Sequence, residues 1–243
     1  MIIPWGPPAE VLLIITMVMG SACLPLIPGL CLAHWARRQI LKGQREVGDS
    51  TGEVTISGSQ LAETLLETSG MKDWTILRTR GPLATFSDAT LKQLRLSERV
   101  ADGTSPLALG LAAHEFGHLL QDARSPAITA IRTIGVFGGR LGCGTAWLIL
   151  LSTFLMLNPL LCNTAAWLYS ASVFALLALQ PLERDANRRC LAALKGMDSP
   201  TANYTSENNL PLLRALNSAV WVEIATTFPD PLGYWAKRHA PLG

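Results

Sequence analysis

Residues 141–179 read LGCGTAWLILLSTFLMLNPLLCNTAAWLYSASVFALLAL, a run without one charged side chain. A helix crosses the hydrocarbon core of a bilayer with about 20 residues. The run is too long for one span and long enough for two. Asn158-Pro159 is the natural break, because asparagine caps a helix and proline opens one. The expected structure is a helical hairpin, 141–157 and 160–180, with its turn on the outer side of a membrane. Trp147, Trp167 and Tyr169 are expected to pack inside it rather than to mark its interfaces.

A second charge-free run, Val11–Ala33, reads VLLIITMVMGSACLPLIPGLCLA, and Pro25 and Pro28 should kink its second half. The preceding MIIPWGPPAE lacks the basic residues of a secretion signal, so the run reads as a retained anchor. Arg37, Arg38, Lys42 and Arg45 crowd its other flank. Cationic flanks stay in the cytoplasm. The expected organisation is therefore an N-terminal transmembrane helix over 9–35 and a cytoplasmic part with a small sheet over 36–140. A transmembrane hairpin over 141–180 and cytoplasmic helices over 181–243 complete it. This is a multi-pass cell-membrane protein, mainly α with a small β-sheet and about three spans.

Composition agrees. Charged residues make up 16% of the chain, well below the roughly 25% of an average soluble domain. A net charge of +2 without a Lys/Arg run excludes a nucleic-acid partner. The five cysteines form no CxxC pair and read as small buried apolar residues.

Between the two apolar regions, 48–58 reads as a linker. SQLAETLLETSG should be helical, with Leu61, Leu65 and Leu66 on one face and Gly70 as its stop. WTILRTR (74–80), LATF (83–86) and LKQLRLS (91–97) are expected to form the sheet. Ser105-Pro106 caps and opens a helix that runs to about Gln121. Segment 126–139 is only mildly amphipathic, with one charge at Arg132. After the hairpin, QPLERDANRRCLAALKG has acids in its first turn and bases later, which suits the helix dipole. Residues 197–209 read as a polar loop, and 210–228 as a core or interfacial helix.

The helix after Pro106 contains LAAHEFGHLLQ, 111–121. Residues four apart share a helix face, about 5–6 Å between Cβ atoms. His114 and His118 can therefore aim at one metal ion, while Glu115 misses the ion but reaches a water beside it. These are the parts of a metal-assisted hydrolase. Gly117 adds weight, because glycine inside a helix costs about 1 kcal/mol relative to alanine. A catalytic zinc wants a third protein ligand. His34 borders the first span, His239 lies near the C-terminus, and Asp122 lies close to the end of the motif helix. Glu183 is the better candidate, since two spans return the chain to the side it left; Asp185 is its rival.

SGSQLAETLLETSG, LKQLRLSERV, LAAHEFGHLLQ and PLERDANRRCLAAL, in that order, resemble the bacterial membrane zinc metallopeptidase family of the YugP type. The resemblance implies that His114, His118 and Glu183 bind zinc and that Glu115 is the catalytic base. Related membrane peptidases carry an aspartate where this chain has Asn187. Asparagine can still accept a hydrogen bond from a zinc-binding histidine but brings no charge.

The expected function is that of an integral membrane zinc endopeptidase. It hydrolyses peptide bonds with a zinc-activated water, on a peptide or protein substrate that includes membrane-held ones. An edge strand among 83–97 would align the substrate. Tyr204, Arg188 and His239 stay open as oxyanion donors. Two alternatives are a protease with its motif inside a span and a non-catalytic zinc-binding membrane scaffold. Charged residues on both sides of the motif weigh against the first, and an intact Glu115 against the second.

Overall fold

The computed structural model describes residues 9–48, 56–80, 86–88, 91–195 and 210–227. It is mostly helical with a small sheet. Helices α1 (Ala9–Ala22) and α2 (Leu26–Gly48) are followed by α3 (Gly58–Thr68), β1 (Thr75–Thr79), β2 (Phe86–Asp88) and β3 (Gln93–Ser97). Then come α4 (Glu98–Ala101), α5 (Pro106–Arg124), α6 (Pro126–Met156), α7 (Pro159–Ala178), α8 (Gln180–Lys195), α9 (Leu210–Ala219) and α10 (Val222–Ala225). Most of the linker over 48–58, the loop over 197–209, Tyr204 and His239 lie outside the described residues.

The hairpin forms where proline and asparagine place it. Leu157 turns the chain in the left-handed region at φ 50°, and the Asn158 side chain accepts from the backbone N–H of Leu160 and Leu161. Its first helix is longer than expected and begins at Pro126. Gly135, Gly139 and Gly142 let α6 lie against Leu179, Leu176 and Ser172 at the far end of α7. Small residues at this spacing bring membrane helices close. Arg132 and Arg140, the two charges in the first half of α6, pair with Glu183 and Glu223.

The first apolar run is two helices bent by 57° at Cys23–Pro25. Among the described residues two helices, or three spans if the bent pair counts as one, are long and apolar enough to cross a membrane. Helix α2 runs parallel to α7: Ala22 accepts from Asn163, while Ser170 bonds to both Pro25 and Gly29. Ala36, Tyr169, Val173, Leu176 and Ile224 share the core of this pack.

A second core surrounds α5. Leu61 and Leu65 of α3, Leu94 and Leu96 of β3, Cys190 and Leu194 of α8, and Leu212 and Leu216 of α9 close on Ala112, Phe116 and Leu119. Ser57 and Gln60 cap α3 reciprocally, and Gly70 ends the turn after it at φ 72°. The sheet order is β1-β3-β2, with β3 parallel to β1 and antiparallel to β2. Of the strand expected over 83–86 only Phe86 lies among the described residues, and it begins β2. The helix expected over 210–228 is broken at Val220-Trp221, and buried Leu212, Ala215, Leu216 and Ala219 make α9 a core helix.

Gly117 sets the spacing of α5 and α8. A Cβ there would lie 2.2 Å from the Ala186 carbonyl oxygen and 2.7 Å from its carbon. Overpacking of this kind costs about 1–3 kcal/mol, more than the roughly 1 kcal/mol that alanine gains as a helix former. Gly117→Ala should therefore lower the thermal midpoint in detergent by a few degrees. Gly144→Ala, with nothing within 4 Å of its new methyl group, should hold or raise it. Equal midpoints for the two variants would contradict the close approach.

Candidate metal centre

Ser105 starts the site helix by accepting from the Ala108 N–H, with Pro106 in the first turn. The phase set there turns His114 and His118 toward α8, where Glu183 opens the first turn. His118 Nε2 lies 3.2 Å from His114 Nε2, and Glu183 Oε2 lies 3.2 Å and 3.1 Å from the two. Three ligands at about 2.0–2.1 Å around a tetrahedral zinc ion are about 3.3 Å apart. The donor set and its spacing fit such an ion. All three side chains are buried.

The outward nitrogens of both rings are occupied. Asn187 Oδ1 lies 2.7 Å from His114 Nδ1, and Asn187 Nδ2 donates to the Leu216 carbonyl of α9. Gln121 Oε1 lies 2.9 Å from His118 Nδ1, and its amide nitrogen donates to Leu182 O and Asp185 Oδ2. Each amide thus gives its NH2 group to fixed acceptors, which turns its oxygen toward the imidazole. The ring N–H points at that oxygen, and Nε2 is left as the lone-pair donor. The expected contact of Asn187 with a motif histidine is present. It uses the asparagine at both ends: an aspartate would set a carboxylate oxygen against the Leu216 carbonyl.

Glu115 is half-buried, and its Oε2, shielded from solvent, has no hydrogen-bond partner among the described residues. Burial pushes its carboxyl up to about 7, against the opposing charges of Arg132 and His114. Burial, with Arg132 beside it, lowers His118 to about 4, keeping the imidazole neutral. At His114 burial also disfavours the charged form, but the hydrogen bond and charge of Glu183 outweigh it and raise the group above its ordinary value.

Asp185 is not in the cluster; it accepts from Gln121 and Arg189. Asp122 binds Thr129 and Ser87. His34 and Arg188 are exposed. Two residues escaped the sequence reading. Arg132 of α6 brings its Nε to 3.5 Å from Glu183 Oε1. Its signal was a lone cation in an apolar stretch. Gln121 was visible only as a polar residue three after His118, on the same helix face.

Gln121→Met preserves volume but removes the acceptor for His118. Loss of such a partner typically weakens metal binding about 10–100-fold. Competition with a chromogenic chelator should show a weakening in that range while the protein stays folded. Unchanged affinity would mean that Gln121 does not orient the ring.

The chain is 29% identical over 163 residues to a Bacillus subtilis (strain 168) protein named "Putative membrane protease YugP", covering 67% of this chain and 72% of that one. No solved structure matches it. A family model matches residues 22–225, which include both helices of the candidate centre. The chain belongs to the family described as "Putative neutral zinc metallopeptidase".

Proposed function

We propose that the chain is an integral membrane zinc endopeptidase whose catalytic part lies against the cytoplasmic membrane surface. His114, His118 and Glu183 hold the zinc ion, and Glu115 is the general base. The observation that carries this reading is the convergence of three buried donor atoms within 3.2 Å of one another. A buried carboxylate oxygen without a partner stands next to them in sequence, on Glu115.

Zinc bound there would polarise the scissile carbonyl and make a nearby water more acidic. Glu115 takes the proton from that water and delivers it to the leaving amine. Gln121 and Asn187 keep both imidazoles aimed, and Arg132 sets a positive charge 3.5 Å from the second oxygen of Glu183. An extended peptide is aligned on the edge strand β2, which packs against α5 through Ser87 and Asp122.

Position in the chain supports a site at the membrane surface. At 1.5 Å per residue, α7 is about 30 Å long, the thickness of the hydrocarbon core. Glu183 follows its end by about 8 Å. Helix α5 is not among the described helices apolar enough to span, which favours this reading over a site inside the bilayer. The cytoplasmic side follows from Arg37, Arg38, Lys42 and Arg45, because α2 and α7 run in the same direction.

Glu115→Gln in detergent-purified protein should retain near-stoichiometric zinc. Cleavage of an unstructured protein such as casein should drop at least about a hundredfold, the low end for loss of a general base. Zinc lost together with activity would make Glu115 a ligand and overturn its role.

A further inference from the structure

Cys23 sits in the bend between α1 and α2, and Cys162 in the first turn of α7. They are 139 residues apart in sequence, yet their sulfurs lie 3.0 Å from each other. Among the described residues this is the one pair of cysteine sulfurs placed in contact. Neither belongs to the candidate metal centre. Cys162 is fully buried and Cys23 half-buried.

The backbone holds the pair together. Just before Cys23, the Ala22 carbonyl accepts from Asn163, the neighbour of Cys162. Just after it, the Pro25 carbonyl accepts from Ser170, which also receives the Gly29 N–H. A Cβ on Gly29 would lie 2.9 Å from the Ser170 Cα, so α2 and α7 touch at backbone distance. Closing the sulfurs to a covalent bond of about 2.05 Å takes a movement of about 1 Å.

Cys162 is about 6 Å along α7 from the hairpin turn at Asn158. In the orientation proposed above, that turn faces the extracytoplasmic side, where disulfides form and persist. We propose that Cys23 and Cys162 are oxidised to a disulfide that ties the bend of the first span to the outer end of the hairpin. The oxidant is an extracytoplasmic thiol–disulfide oxidoreductase. The Cys23 thiolate attacks its disulfide and forms a mixed disulfide, releasing one donor thiol. The Cys162 thiolate then attacks the Cys23 sulfur and releases the second. The two cysteines lose two electrons and two protons, and the donor disulfide becomes a dithiol. The bond fixes the outer end of α2, whose inner half packs through Trp35 on Trp221 and shares a core with Ile224 through Ala36.

The inference rests on the proposed orientation, and the test separates the two. The full chain is expressed in a bacterial cytoplasmic membrane with an intact extracytoplasmic disulfide-forming system. After acid quenching and denaturation, free thiols are counted by the mass shift with a polyethylene-glycol maleimide. Of the five cysteines, three should react before reduction and all five after it. Cys23→Ser and Cys162→Ser should each give four under both conditions. In parallel, Asn158→Cys in a background without native cysteines is exposed to an impermeant thiol reagent in intact cells, and should be labelled. Five reactive thiols before reduction, with Asn158→Cys labelled, overturn the disulfide and leave the orientation standing. Loss of two thiols that persists in Cys23→Ser also overturns it, because another pair is then bonded. An Asn158→Cys shielded in intact cells overturns the orientation and the disulfide with it.

Discussion

The site depends on how closely α5 and α8 can pack. Gly117 lets the Ala186 carbonyl approach where any side chain would collide, and that contact brings Glu183 over the two histidines. The two helices reach each other from different parts of the chain. Between them lies the hairpin of α6 and α7, whose two crossings return α8 to the level of α5. The glycines of α6 and the Asn158 turn therefore contribute to the candidate metal centre without touching it.

Polar groups around the centre are arranged by a single logic. Each histidine is turned by an amide whose own NH2 group is spent on a fixed acceptor. A carboxylate in those places would add charge beside a cluster that already holds Glu115 and Glu183. The neutral amides orient the rings without that charge, and Arg132 offsets part of it. Further out, the Arg140–Glu223 pair at 2.6 Å ties α6 to α10, and the Leu216 carbonyl ties α9 to Asn187. The C-terminal helices thus reach the centre through hydrogen bonds rather than through ligands of their own.

What could be read from the sequence follows from the range of the forces involved. The hairpin, its break, the capped start of α5 and the stop at Gly70 are local, and the residues that cause them are adjacent. The facing pair His114 and His118 is local too, since one helical turn defines it. Glu183 was reachable only by counting spans, and the resemblance agreed with that count. Glycine at 117 was read as a sign of function, whereas its physical cause is the Ala186 backbone, far away in sequence. No local pattern shows that Arg132, Arg140 and Glu223 are matched by partners on other helices. The bend at Cys23–Pro25 falls at the first of the two prolines, in the half of the run where they pointed, and contacts of Ala22, Pro25 and Gly29 with α7 hold it.

The central claim is that His114, His118 and Glu183 hold one metal ion while the acids around them do not. Metal analysis of Glu183→Ala and Asp185→Ala, purified side by side, addresses it directly. Glu183→Ala should come out zinc-poor, because one of three ligands is gone. Asp185→Ala should keep its zinc, because its carboxylate serves Gln121 and Arg189. A full complement of zinc in Glu183→Ala together with an empty Asp185→Ala would contradict the account.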